Sequence, residues 1–133
     1  MELLPLNAPF DVLIDSAATP EQIDNLLMAA RGLAKGRLLL VLGAPGDRDR
    51  SRRPQLGEAA SRADVVILTA DDPRSEPVEE ICGQIRAGVE GKHPEIVPDR
   101  RAAIGRALDL AQPGDLVLLS GREIKLRCSP GTA

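Results

Sequence analysis

Aromatic side chains are almost missing from this chain: one Phe, Phe10, and neither Tyr nor Trp among 133 residues. A core must therefore be assembled from Leu, Val, Ile and Ala. Apart from Phe10 and the single His93, no ring is available to stack on a base, which argues against single-stranded nucleic-acid binding. Histidine and cysteine are as scarce. One His, with Cys82 and Cys128 far apart, offers no zinc-ligand spacing, so no metal site is expected. Nor does a nucleophile–base pair suggest itself. Cys82 falls on a helical pattern and reads as a small buried hydrophobe. A net charge of −3 and an isoelectric point near 5.2 argue against a general nucleic-acid or membrane-surface binder. Apolar runs of membrane-spanning length are missing, as are a signal or transit peptide, and the cytoplasm is the expected location. Neither Gly-x-Gly-x-x-Gly nor Gly-x-x-x-x-Gly-Lys-Ser/Thr occurs.

What is present is a regular alternation of strand and helix signals. Phe10 to Asp15 reads as a strand. Thr19-Pro20-Glu21-Gln22 reads as a helix start, with Thr19 as N-cap and Gln22 completing a capping box. Ile23, Leu26, Leu27, Ala30 and Leu33 then keep helical spacing up to a stop at Gly36. Arg37 to Gly43 holds an unbroken apolar run, Leu38 to Leu42, as expected of a strand buried on both faces in a parallel sheet. Further helices are expected over about Pro54 to Ala63, Pro77 to Val89 and from Asp99 to Ala111. Further strands are expected at Asp64 to Thr69, Glu95 to Val97 and Leu116 to Ser120. The expected fold is a three-layer, Rossmann-like α/β domain, its mostly parallel sheet carrying helices on both faces. It forms one domain over residues 1–133 with an ordered core over about 8–128.

Between the second strand and second helix lies Gly43-Ala44-Pro45-Gly46-Asp47-Arg48-Asp49-Arg50-Ser51-Arg52-Arg53-Pro54, with four arginines and two aspartates. Read by charge alone, it is either a solvated loop or an anion site, because Arg presents a planar fork of donors to carboxylate or phosphate. Parallel strands put Asp15, this stretch, the Asp71–Glu76 stretch and Gly121–Lys125 on one rim, at the carboxyl ends where open α/β sheets bind ligands. Ser16 and Ser120 also lie at strand ends, where Ser reads first as a turn or cap residue.

The order of short motifs resembles the C-terminal domain of Mur ligases, the MurE type above all. That family carries Asp-Tyr-Ala-His-Thr-Pro, Gly-Asp-Arg-Asp with Lys-Arg-Pro, Asp-Asn-Pro-Arg-x-Glu and Gly-Lys-Gly-His-Glu. Here the counterparts are Asp15 to Pro20, Gly46-Asp47-Arg48-Asp49 with Arg52-Arg53-Pro54, Asp71-Asp72-Pro73-Arg74-Ser75-Glu76, and Gly121-Arg122-Glu123-Ile124-Lys125. The resemblance implies that Arg48 and Arg74 receive carboxylates of an amino acid. Asp71, Asp72 and Gly121 would complete that side, while Asp15 and Thr19 would be remnants of the nucleotide side. No catalytic residue is expected in this domain. ATP and magnesium would enter only through a ligase central domain, which is expected to be absent here, as is the UDP-binding N-terminal domain.

The departures are as informative as the matches. Ser16 and Ala18 replace the aromatic and the His of the first motif, Asp72 replaces Asn, and Lys125 stands where diaminopimelate-adding relatives place a Glu for the distal amino group. A cation there repels a ligand ammonium. At about 4 Å and an effective dielectric near 20 the swing is a few kcal/mol, enough to remove selectivity for diaminopimelate or lysine. The expectation is thus a standalone, degenerate MurE-like domain acting as a non-catalytic binding or scaffold module related to peptidoglycan precursor synthesis. It would take a small anionic or amino-acid ligand, a protein partner such as a Mur enzyme, or a second copy of itself. The alternative is the amino-acid-binding part of a split or truncated UDP-N-acetylmuramoyl-peptide ligase.

Overall fold

A computed structural model describes residues 2–3, 8–44, 50–71, 76–91 and 93–121. Its elements follow the alternation in the sequence: β1 (Glu2–Leu3), β2 (Asp11–Asp15), α1 (Pro20–Leu33), β3 (Leu38–Leu42), a single 3-10 turn (Arg50–Arg52), α2 (Arg53–Ala60), β4 (Val65–Leu68), α3 (Val78–Arg86), β5 (Glu95–Ile96), α4 (Arg100–Leu110) and β6 (Leu116–Ser120). The sheet order is β1-β2-β6-β3-β4-β5. Among the described residues only β1 runs antiparallel, pairing Glu2 with Ile14 and Leu3 with Leu13; the other pairings are parallel. The sheet thus takes in residues ahead of residue 8, where the expected core begins. The expected core beyond 121 lies outside the described residues.

Strand β3 shows why the sequence needed an unbroken apolar run. Leu38, Leu40 and Leu42 join one hydrophobic cluster with Ile23, Leu26 and Leu27 of α1, Leu56 of α2 and Ile81 and Ile85 of α3. Leu39 and Val41 join a second cluster with Ala103 and Ala107 of α4. Successive side chains alternate between faces, so a central strand covered by helices on both sides must be apolar at every position. The core is aliphatic, as composition required, and Phe10 is only partly buried at the edge of the second cluster. Among the described residues no helix is long and apolar enough to cross a membrane.

Helix entries follow local chemistry. The Thr19 hydroxyl accepts from Gln22 N at 3.1 Å while the Gln22 side chain accepts from Thr19 N, and Pro20 occupies the first turn. Asp99 caps α4 by accepting from Ala102 N at 2.9 Å. At the amino ends of the two central strands, Asp115 ties the entry of β6 to that of β3. It accepts from Arg37 N and Gln112 N, each at 2.8 Å, and from the Arg37 guanidinium at 3.0 Å. Burial works to raise its pKa, but the backbone donors and Arg37 outweigh it and hold the carboxyl below the usual Asp range.

A carboxyl depressed on folding contributes stability that is present in full above the unfolded value, near 3.9, and lost as pH falls through the lower folded value. Asp115→Asn is therefore expected to cost roughly 1–3 kcal/mol at pH 7. That deficit should narrow as pH falls below about 4. Urea denaturation at several pH values checks this, and a deficit equally large at low pH would contradict it.

Candidate functional site

The carboxyl ends of β2, β6, β3 and β4 lie side by side. Asp15 pairs with Ser120, Val41 with Leu119, and Leu42 with Leu68. Beyond the strands the chains stay joined: Gly121 N donates to Asp15 O at 3.2 Å and Thr69 N to Leu42 O at 2.9 Å. The convergence expected from topology is present for Asp15, Asp71 and Gly121. Arg48, Asp72, Arg74 and Lys125 lie outside the described residues.

Asp71, only 1% exposed, sits against the turn that leaves β6. A Cβ placed on Gly121 would stand 3.1 Å from Asp71 Oδ2 and 3.2 Å from Arg100 Nη2, so an acid and a base flank this glycine. Its φ of +135° is a second reason for glycine, since side-chain-bearing residues rarely adopt that backbone. Gly43 makes the matching approach just past β3: a Cβ there would stand 3.0 Å from Asp71 Cβ and 2.5 Å from Thr69 O.

Arg100 carries no motif that would single it out from sequence. It follows the Asp99 cap, and its half-buried guanidinium donates to Ala70 O at 2.8 Å and Ser120 O at 2.9 Å. It thereby fastens the chain leaving β4 to the end of β6. The only sequence signal is its position directly after a helix cap at a strand's carboxyl end. Ser120 departs from the turn role expected of it. It is fully buried within β6, and its hydroxyl donates to Val41 O at 3.0 Å, bonding to the neighbouring strand. Asp15 Oδ1 accepts from Ala17 N at 2.8 Å and shapes the turn after β2, while Thr19 serves as the α1 cap described above.

In the part of the basic stretch that the structure describes, Arg53 is not a solvated charge. Arg53 is 3% exposed. Its guanidinium forms a two-bond fork with Glu76 (Nη1–Oε2 2.9 Å, Nη2–Oε1 2.8 Å), and Nη1 also donates to Gln84 Oε1 at 2.8 Å. Arg52 behaves as a surface residue, paired with the exposed Glu21. Cys82 is buried as expected. Burial first, then the nearby Glu79, pushes its thiol up to about 11, and it donates weakly to Thr69 O. It is no nucleophile at neutral pH. Among the described residues the rim thus brings together the buried Asp71 carboxylate, the Arg100 guanidinium and the backbone ends of β2, β6, β3 and β4.

Comparison with known proteins agrees with this geometry. The family model described as "Mur ligase, glutamate ligase domain" matches residues 1–123. The UDP-N-acetylmuramoyl-L-alanyl-D-glutamate–2,6-diaminopimelate ligase of Synechococcus elongatus is 50% identical over 113 residues, 84% of this chain and 23% of that protein. The ligase of the same name from Aquifex aeolicus is 46% identical over 115 residues, 85% of this chain and 24% of that protein. The chain thus spans about a quarter of the length of the curated relatives it matches. A solved structure of a ligase of that name superposes with a TM-score of 0.84 at 33% identity, covering 92% of this chain and 26% of that one. Escherichia coli FolC in complex with ADP shares the fold at 22% identity, with a TM-score of 0.64. Motif order, sheet order and these similarities converge: the chain belongs to the Mur ligase C-terminal domain family and is of the MurE type.

Proposed function

We propose that this chain is a ligand-binding module of peptidoglycan precursor synthesis, which holds a carboxylate-bearing ligand at its strand-end rim and makes no bond itself. The observation that carries the reading is the meeting of Asp71, Arg100 and Gly121 at the carboxyl ends of β2, β6, β3 and β4, where Asp71 and Arg100 flank Gly121. In this reading these groups orient the ligand and exclude water from one side, while Arg48 and Arg74 supply the forked donors for its carboxylates. Lys125, standing where an acidic group would favour an amino-bearing side chain, removes that preference. ATP and magnesium would supply carboxyl activation only where a ligase central domain completes the site, and nothing done by this chain's own residues depends on them.

Calorimetric titration with glutarate, meso-diaminopimelate and lysine tests the reading. Millimolar binding of glutarate and diaminopimelate with affinities within a few-fold of each other is expected, with loss of both in Arg48→Gln. A preference for diaminopimelate of tenfold or more over glutarate would overturn the account of Lys125. Absence of binding by any of them would overturn the module itself.

A second reading is supported by the identity to the two diaminopimelate ligases, 50% and 46%. The chain would then be the C-terminal lobe of a working ligase whose ATP-binding domain is elsewhere. Mixing it with a diaminopimelate ligase truncated before its own C-terminal domain decides between them. ATP-dependent ligation above the truncated enzyme's background supports this second reading, and none supports the first.

A further inference from the structure

Two stretches of the chain leave the rim together and return together. The first departs at Leu42 and the second at Leu68, which are register partners joined by the hydrogen bond from Thr69 N to Leu42 O. The first re-enters the core at Arg53, the opening residue of α2. The second re-enters at Glu76, two residues before α3. Those two re-entry points are the partners of the buried forked ion pair, with Gln84 of α3 as a third member. Arg48 and Arg74 belong one to each stretch, five and two residues before the pair respectively.

A pair buried to 3% and 5% side-chain exposure is a poor device for stability alone. Removing both charges from water offsets much of their attraction, and apolar residues of similar volume often do as well. What apolar residues do not reproduce is the directionality of a two-bond fork, which fixes distance and angle together.

We propose that the Arg53–Glu76–Gln84 cluster is a positioning device, setting the register between the entries of α2 and α3 and, through it, the geometry at which the rim receives an anion. The second half of that statement rests on the binding function proposed above; the first half does not. Arg53 and Glu76 act through the chain segments they anchor and are positioning residues, not catalytic ones.

The test uses the full chain with Cys128→Ser and nitroxides on Ser51→Cys and Pro77→Cys, both exposed positions beside the cluster. Cys82, with its buried, high-pKa thiol, is left unlabelled. In the otherwise unaltered chain the spin–spin distance distribution should be narrow. In Arg53→Met/Glu76→Leu it should broaden at least twofold, while the melting temperature stays close to that of the parent and glutarate affinity falls tenfold or more. An equally narrow distribution in the double variant would overturn the proposal. Should that variant not fold, Glu76→Asp keeps the charge on a side chain one methylene shorter, and here a shifted distribution is expected; no change would overturn the proposal equally. If the distances broaden and glutarate affinity holds, the register does not serve the site and the second half fails. If the parent chain itself binds no glutarate, the proposed function fails, and the distances still decide the register.

Discussion

Gly57→Ala is expected to destabilise this domain more than any other single-methyl addition in a helix, by roughly 3 kcal/mol, at the upper end of what overpacking usually costs. On α2, a Cβ at Gly57 would collide with the carbonyl oxygen of Ile85 on α3 and lie 3.0 Å from that carbonyl's carbon. The reciprocal contact is made just past α3, where a Cβ on Gly88 would strike the carbonyl oxygen of Pro54 and approach its carbon to 2.6 Å. Both obstacles are backbone, so no side chain can rotate away and the helices themselves must separate. Such a separation would open the cluster in which Leu56 packs with Ile81 and Ile85. Alanine's better helix propensity, worth about 1 kcal/mol at an unhindered site, offsets only part of this.

The control lies in the same fold. At Gly83 on α3 and Gly105 on α4, nothing stands within 4 Å of the place an added methyl would take. Alanine there should be neutral or stabilise by up to about 1 kcal/mol. Gly57→Ala and Gly88→Ala probe one interface, so their combined cost should fall short of the sum. Denaturant titration measures all four variants. A Gly57→Ala protein as stable as Gly105→Ala would mean that α2 and α3 are not in backbone contact.

The second large effect concerns the buried pair taken one partner at a time. Glu76→Leu leaves the Arg53 guanidinium in an interior site without the carboxylate that neutralises it, and Arg53→Met does the same to Glu76. Each single change should cost about 3–5 kcal/mol. Changing both together should return most of that loss, because the remaining cost is only the imperfect fit of two apolar side chains. The double-mutant cycle therefore predicts a large coupling energy, on the order of 3 kcal/mol, between residues 23 positions apart in sequence. Near-additive single costs would show that the two side chains do not depend on each other.

The contrast between these two predictions shows where the sequence was readable. The parallel sheet was legible because Leu38 to Leu42 and Leu116 to Leu119 are continuous apolar runs, a pattern that only a strand covered on both faces requires. The start of α1 was legible because Thr19, Pro20 and Gln22 carry local chemistry that acts over three residues. The burial of Arg53 was hidden for the opposite reason. Among neighbouring arginines it is distinguished only by a partner that the fold brings up from Glu76. Gly57 and Gly88 carry no sequence signal, since their role depends on how closely two helices approach. Strand β1 is two residues long, too short to show alternation, and is defined by pairing with β2. At the rim, Asp71 and Gly121 followed from motif order and strand ends. Arg100 did not, because it reaches the rim from α4, on the other face of the sheet from α1, α2 and α3.

A groove between α1 and α2 is a rival place for a ligand to settle. It encloses about 480 Å³ and is lined by Pro20, Glu21, Asp24, Gln55, Glu58 and Arg62. Its acidic residues are poorly suited to a carboxylate, and Glu21 and Asp24 are already paired with Arg52 and Arg62. The measurement that separates rim from groove is a residue-resolved NMR titration of the labelled domain with glutarate and meso-diaminopimelate at millimolar concentration. Saturable shifts at the amides of Asp71, Arg100 and Gly121, with those of Asp24, Glu58 and Arg62 unmoved, are the predicted result. Shifts confined to the α1–α2 groove, or none at the rim, would contradict the assignment of the strand-end rim as the binding site.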